Sequence, residues 1–373
     1  MDKHRRREFV VVGAGLLGLG ASGALASLGR DVLCLDLAEV GHAWSGSKGN
    51  SRAFRYNYDE PMLNAMVAEA ERAWRDLETA SGLRILERTP FLNFGDDLTG
   101  YAGRLEAAGS AVEYLEADEV ARRFPGLAIR GPAVLEPTAG MLRADRARDA
   151  LRASLRAELR ESVEVTAVRD GADTARVETT DGDIEADQVV ICAGPGTAPL
   201  LRGLGMEYRV RTALQQVVYL AAAMPPAAGA GQWPAVVRRL AADDDDQLYA
   251  LPLPGFGQYK FGVRYSGPEV IYRRTPLDPD PLVTRQLVAA AATLLRDVGS
   301  QPRLVERCVL DYTADLHFVL DRVGRVVVGA GTSGHGFKFG PLLGSLIADL
   351  AVGAAPRWDL TAFSLRRPAL MAG

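Results

Sequence analysis

Residues 9–18 read Phe9-Val10-Val11-Val12-Gly13-Ala14-Gly15-Leu16-Leu17-Gly18, a short apolar run leading straight into Gly-x-Gly-x-x-Gly. Sequence rich in Ala, Leu, Ser and Gly follows at helical length to Gly29. A second apolar run, Val32-Leu33-Cys34-Leu35, then ends at Asp36. Strand, glycine turn, helix, strand and acid fall within ~30 residues. Gly13 permits a tight turn, Gly15 lets backbone approach a pyrophosphate, and Gly18 lets helix and strand pack closely. The first helical turn offers unpaired N–H groups to phosphates. Asp36 stands where a carboxylate would accept hydrogen bonds from ribose hydroxyls. A dinucleotide site is expected. The motif alone does not choose between FAD and NAD.

At 373 residues the chain has room for two domains, or one with a large insertion. Its 43 basic and 47 acidic residues are well mixed, which gives no support for a nucleic-acid or anionic-membrane partner. No apolar run approaches the ~18–20 residues that span a bilayer. The three cysteines rule out a disulfide framework, and no metal-ligand spacing is present. A cytoplasmic protein without metal is expected, as a monomer or small oligomer.

Asp59-Glu60-Pro61 reads as a helix start, with apolar residues at helical spacing to about Ala80. Leu83 to Phe94 suggests a strand pair, 98–130 short helices, and Arg143 to Glu161 one charged helix. Strands are expected near 163–168 and 175–179. Asp187 to Gly194 and Val326 to Ala330 look like buried parallel strands. From 207 to 275 the pattern is antiparallel, with strands at 209–220, 234–240, 247–252 and 258–264. Asp243-Asp244-Asp245-Asp246 reads as a solvated hairpin tip. Leu282–Val298 reads as a helix, Val305–Leu310 and His317–Asp321 as strands, and Pro341–Ala351 as a helix. The expected fold is α/β: a Rossmann-like dinucleotide domain (1–86, 140–206 and 322–373) interwoven with a substrate domain on a mostly antiparallel sheet (87–139 and 207–321).

Several separated motifs resemble the FAD-dependent amine and amino-acid oxidoreductases that include D-amino-acid oxidase and glycine oxidase. The likeness is greatest to monomeric sarcosine oxidase and N-methyltryptophan oxidase. It is carried by Gly13 to Gly18, by Gly46-Ser47 through Ser51-Arg52-Ala53-Phe54-Arg55 and Glu60, and by Pro254-Gly255 through Lys260-Phe261-Gly262. Gly331-Thr332-Ser333-Gly334-His335-Gly336-Phe337-Lys338-Phe339 is the most specific stretch, with Phe363-Ser364 and Arg367 to Leu370 closing the chain.

The resemblance implies FAD bound through Gly13, Gly15, Gly18, Asp36, Ser51, Arg52, Val168, Gly194, Gly334, Gly336 and Lys338. It also implies a thioether from Cys308, which precedes His317-Phe318 at the family distance, to the flavin's 8α carbon. The residue reading alone leaves Cys308 as a buried apolar strand cysteine, as Cys34 and Cys192 remain. Arg55 and Lys338 match the family's carboxylate-binding pair: Arg through two parallel N–H bonds, Lys as a point charge. Alternatively Arg55 pairs with Glu60 and Lys338 lies at the surface. Lys260 matches a lysine that activates oxygen, as a fixed positive charge; alternation along its strand does not say which face it takes. Tyr249 aligns with a substrate-pocket tyrosine, or packs.

The chain departs from its relatives at Arg264, where they carry histidine, at Leu310, at Lys48 and at Gly194-Pro195-Gly196. Arg264 is expected to read a second anionic or polar group, or else to pair with Glu60 or a surface acid. The expected function is FAD-dependent oxidation of a secondary or cyclic amino acid to an imine, other than sarcosine, with hydride passing to flavin N5 and O2 reduced to hydrogen peroxide. A dehydrogenase with another acceptor and a biosynthetic cyclic imino-acid oxidase stay open, ahead of a non-catalytic flavoprotein.

Overall fold

The computed structural model describes residues 6–222, 233–239, 247–253, 256–264 and 267–371. The acidic run Asp243–Asp246 and the Pro254-Gly255 pair lie outside them.

The apolar runs of the N-terminal motif become the centre of an eight-stranded sheet. Strand Arg6–Val12 runs parallel to Val32–Leu35 on one side and to Ile184–Ile191 on the other. Val326–Ala330 extends the parallel part beyond Ile184–Ile191, and Val319–Val323 pairs with it antiparallel. Both faces of the central strand are covered, which is why its sequence is continuously apolar. Phe9 and Val11 join the core beneath the helices, whereas Val10 and Val12 join the core on the opposite face.

Helices Leu16–Ser27, Pro61–Ser81, Ala144–Ala153 and Gly340–Val352 contribute to that first core. Leu16–Ser27 and Gly340–Val352 cross where two glycines meet: a Cβ on Gly20 would lie 3.3 Å from the Cα of Gly344. Pro61–Ser81 begins and ends where its sequence says, with proline at its start and Gly82 left-handed at its end. Its initiating acid does not cap the helix by side chain; Glu60 instead meets His317 Nε2 at 3.0 Å.

A second eight-stranded sheet is built from 91–136 and 211–312, in the order Val298–Tyr312, Arg211–Ala222, Gln258–Val263, Leu248–Leu253, Ala235–Arg239, Phe91–Gly95, Ala133–Glu136, Glu113–Leu115. Every neighbour in it is antiparallel except Ala235–Arg239 against Phe91–Gly95, which run parallel. Helix Pro281–Leu294 packs on one face, its N-terminus capped by Asp280, whose carboxylate accepts from Leu282 N at 2.7 Å. A small sheet of Ser51–Phe54, Gly140–Arg143 and Leu86–Arg88 links the two large ones.

Two local expectations are corrected. The helix expected over 143–161 stops at Ala153, and Glu158–Arg160 becomes a strand parallel to Val32–Leu35. Pairing at the sheet edge outweighs the helical pattern there. The strand pair expected over 83–94 forms no hairpin: Leu86–Arg88 belongs to the small sheet and Phe91–Gly95 to the second large one.

Candidate active site

The glycine turn makes a cradle that side chains would fill. Gly13 has φ +99°, and a Cβ there would lie 2.5 Å from the carbonyl oxygen of Cys192. A Cβ on Gly18 would lie 1.7 Å from the carbonyl oxygen of Gly13. Gly18 is therefore a packing residue and does not line the groove. Gly13, Gly15, Asp36, Arg52, Gly194, Gly334 and Gly336 do line it, in a groove of about 650 Å³. Asp36 is 6% exposed; its carboxylate accepts from Ala14 N at 2.6 Å and meets His42 Nε2 at 3.2 Å. Ser47 Oγ accepts from Leu16 N at 2.9 Å in the first helical turn. Trp44 and Tyr272, an edge-to-face pair, form another part of the wall. Cradle, helix start and inward carboxylate fit a bound dinucleotide.

Besides Gly18, four expected cofactor residues lie outside the groove: Cys308 and Lys338 line a second cavity, and Val168 and Ser51 line neither space. Val168 is fully buried in the core of strand Val165–Asp170, and Val163, Glu164, Val165 and Thr166 line the groove instead. The Ser51 carbonyl oxygen accepts from Lys260 Nζ at 2.7 Å and from Arg52 Nη1 at 2.8 Å, while its buried hydroxyl has no hydrogen-bond partner among the described residues.

Arg52, Leu310, Gly334 and Phe337 border both the groove and a second cavity of about 250 Å³. The two spaces therefore adjoin, with these four residues between them. Cys308, Lys260, Tyr249, Arg264, Arg55 and Lys338 all line that cavity. On strand Val298–Tyr312, Glu306, Cys308, Leu310 and Tyr312 share its cavity face by strand alternation.

Lys260 takes the inner face of its strand, 5% exposed, while its neighbours Tyr259 and Phe261 turn into the apolar core behind. Burial, reinforced by the nearby Arg52 charge, pushes its ammonium down to about 7. Lys338 is likewise 5% exposed, not a surface lysine. Its Nζ donates to the Arg55 carbonyl at 3.3 Å and to Asn57 Oδ1 at 3.4 Å, and lies 4.7 Å from the Tyr58 ring centre. Burial first, then the Arg55 and Arg264 charges, holds it well below the usual lysine range. The backbone of Lys338 is fixed by Trp74, whose indole N–H donates to its carbonyl at 2.7 Å.

Arg55 does not pair with Glu60. It forms a buried ion pair with Glu136, through Nε to Oε2 at 3.2 Å and through Nη2 to Oε1. Nη2 also donates to Asn93 Oδ1 at 2.8 Å. Arg264 is half-buried beside His335 and Lys338, and its charge lowers the pKa of both. His335 is neutral: burial pushes it down to about 3. Its Nε2–H donates to the Leu316 carbonyl at 2.8 Å, so Nδ1 accepts from the Tyr58 hydroxyl at 2.7 Å. The Tyr249 hydroxyl packs over Gly262, where a Cβ would lie 2.4 Å from it. Cys34 and Cys192 keep their structural role, and burial pushes the Cys34 thiol up to about 12. Among the described residues no cluster of metal-ligating side chains occurs, and no helix is long and apolar enough to cross a membrane.

Sequence reasoning missed Glu136, Asn93 and Tyr101 behind Arg55, and Glu306 on the cavity wall. Their residue types were visible, but their contacts join segments far apart in the chain.

Residues 8–350 match the FAD dependent oxidoreductase family. Peroxisomal sarcosine oxidase of Mus musculus is 30% identical, with 96% of each chain covered. Monomeric sarcosine oxidase of Bacillus sp. (strain B-0618) is 27% identical, covering 97% of this chain and 96% of its own. Among solved structures, NikD, an amino acid oxidase essential for nikkomycin biosynthesis, superposes with a TM-score of 0.86 at 25% identity, covering 96% of this chain and 97% of its own. Glycine oxidase from Geobacillus kaustophilus shares the fold, with a TM-score of 0.85 at 22% identity, covering 98% of this chain and 99% of its own. The glycine cradle, the adjoining groove and cavity, and this agreement along the chain lead to one conclusion: this chain belongs to the FAD-dependent oxidoreductase family and is an enzyme of that family.

Proposed function

We propose that the enzyme oxidises the C–N bond next to the carboxylate of a secondary or cyclic amino acid, using FAD and O2. The observation that carries this reading is the cavity lined by Lys338, Arg55, Lys260 and Cys308, which adjoins the dinucleotide groove. Relatives that act on sarcosine support it.

Gly13, Gly15, Asp36, Arg52, Gly194, Gly334 and Gly336 would hold FAD, with Cys308 Sγ bonded to the flavin's 8α carbon. When bound, FAD supplies the two-electron acceptor that takes hydride from the substrate and returns the electrons to O2 as hydrogen peroxide. The substrate carboxylate answers the buried ammonium of Lys338, which has no ion-pair partner among the described residues, with Arg55 beside it. The same positive field disfavours an ammonium on the substrate, so the amine binds in the neutral form that can give up hydride. No residue is required as general base. Lys260 supplies a preorganised positive charge where oxygen gains electrons, worth more in a buried site than in water. Its burial favours an oxidase over a dehydrogenase with another acceptor.

Arg264, at the place where relatives carry histidine, reads a second anionic or polar group on the substrate, which therefore is not sarcosine. The cofactor part is taken as 1–86, 140–206 and 322–373 and the substrate part as 87–139 and 207–321; the pairing of Val319–Val323 with Val326–Ala330 supports extending the last cofactor segment back to 319.

The test is to purify the protein, record its visible spectrum, precipitate it with acid, and screen N-methyl and cyclic amino acids for peroxide. Yellow colour retained in the pellet, with peroxide from an amino acid richer than sarcosine, is the expected result. Colour released to the supernatant removes the Cys308 bond but leaves the oxidase. Colourless protein that takes up no FAD overturns the whole reading, and sarcosine as the best substrate removes the role given to Arg264.

A further inference from the structure

Arg55 reaches the cavity from the end of strand Ser51–Phe54, but what holds it lies behind the cavity wall. Glu136 ends strand Ala133–Glu136, Asn93 sits on the adjacent strand Phe91–Gly95, and Tyr101 comes from helix Leu98–Ala107. All four side chains are buried: Arg55 7%, Glu136 3%, Asn93 0% and Tyr101 4% exposed. Glu136 Oε1 accepts from Asn93 Nδ2 and from the Tyr101 hydroxyl, each at 2.8 Å. Tyr101 in turn accepts from Arg55 Nη2 at 2.5 Å. The Arg55 guanidinium lies 4.8 Å from the Phe91 ring centre, and the Arg239 guanidinium 3.8 Å from that of Tyr101. Of this group Arg55 and Phe91 line the cavity, and Glu136, Asn93 and Tyr101 do not.

The consequence is geometric. The Nε–Nη2 edge, the fork an arginine usually turns toward a carboxylate, is spent on Glu136. Nη1 has no hydrogen-bond partner among the described residues. Burial alone would raise the Glu136 carboxyl, but Arg55, Tyr101 and Asn93 outweigh it and keep the carboxylate charged. Glu136 also counters the charges that lower Lys338. One carboxylate therefore orients the arginine and helps keep the neighbouring lysine protonated.

We infer that Glu136 is a positioning residue for substrate recognition: with Asn93 and Tyr101 it locks Arg55 so that Nη1, not the bidentate fork, meets the substrate carboxylate alongside Lys338. This rests on the amino-acid oxidase reading above. Asn57, Tyr58, Arg264 and His335 complete the polar and charged surroundings of Lys338, and none of them replaces the anion behind Arg55.

The experiment compares wild-type holoenzyme with Glu136→Gln and, because removing that charge strands a buried guanidinium, also with Tyr101→Phe. Three quantities are read: melting temperature with flavin content, kcat and KM for the amino acid that wild type oxidises best, and the inhibition constant of propionate, a carboxylate without the amine. The expected result for Glu136→Gln is a KM and a propionate constant raised at least tenfold, kcat changed less, and a larger KM rise at higher pH as Lys338 loses protonation. Tyr101→Phe shifts the same two constants in the same direction by a smaller factor, with flavin retained. Unchanged KM and propionate constants in a folded Glu136→Gln overturn the inference. If that variant does not fold, unchanged constants in Tyr101→Phe do so. A wild type that oxidises no amino acid refutes the functional reading itself, which is a different result from a variant that binds as wild type does.

Discussion

The ammonium of Lys260 is held 2.7 Å from the carbonyl oxygen of Ser51, a residue 209 positions earlier in the chain. That bond ties the substrate sheet to strand Ser51–Phe54, which carries Arg52, and it holds a buried cation in the wall of the cavity. The site is organised around such cross-sheet contacts.

Lys260→Met is expected to leave substrate oxidation largely intact and to slow reoxidation by O2 by roughly 100- to 1000-fold. Stopped-flow mixing of reduced enzyme with oxygen reads this directly. The oxygen step is expected to depend on pH in one direction. Lys260 is protonated below about 7, so the step slows as pH rises through that value. The Met variant loses the dependence.

Lys338→Met removes a buried cation that forms no ion pair among the described residues and is expected to reduce kcat/KM for the amino acid by roughly 10- to 100-fold. Steady-state kinetics at fixed oxygen test this. The flavin content is expected to hold, because Trp74 anchors the backbone of Lys338 and not its ammonium.

Gly18→Ala places a methyl group 1.7 Å from the Gly13 carbonyl. The helix and the turn must move apart, at a cost of about 1–3 kcal/mol or more. Lower thermal stability with lower FAD content is the expected outcome. Gly23→Ala, on the same helix with open space around its Cβ, is the control and is expected to keep FAD content and to raise stability by up to about 1 kcal/mol.

Arg264→Leu is expected to reduce kcat/KM most for substrates bearing a second polar or anionic group and least for small N-methyl amino acids. Equal losses across such a panel would show that Arg264 does not read the substrate.

How much of this was legible depends on how local each signal is. The Gly13–Gly18 turn and Asp36 are contiguous with the strand and helix they organise, so residue types alone located them. The helix at Pro61–Ser81 carried its own start and stop. Lys338 could be singled out because it sits among glycine and aromatic neighbours within one short stretch. The partner of Arg55 could not be read this way. Glu60, five residues on, was the near candidate, and Glu136 takes the pair because the meeting of the small and large sheets brings it there. The overextended helix after Arg143 failed for the same reason: Glu158–Arg160 has helical neighbours but a vacant sheet edge to pair with. The parallel pairing of Ala235–Arg239 with Phe91–Gly95 likewise joins segments that share no local signal.

Cys308→Ala separates cofactor attachment from cofactor binding. The variant is expected to bind FAD through the groove and to release all of it on acid precipitation. Retention of colour in the pellet would assign the bond to another residue.

The most direct test of the account is to mix the yellow holoenzyme with secondary and cyclic amino acids under anaerobic conditions and follow the visible flavin band. The account predicts that an amino acid bleaches the band, that the same amine without its carboxylate bleaches it far more slowly, and that air restores the colour with formation of hydrogen peroxide. A band that no amino acid in the panel bleaches would contradict it.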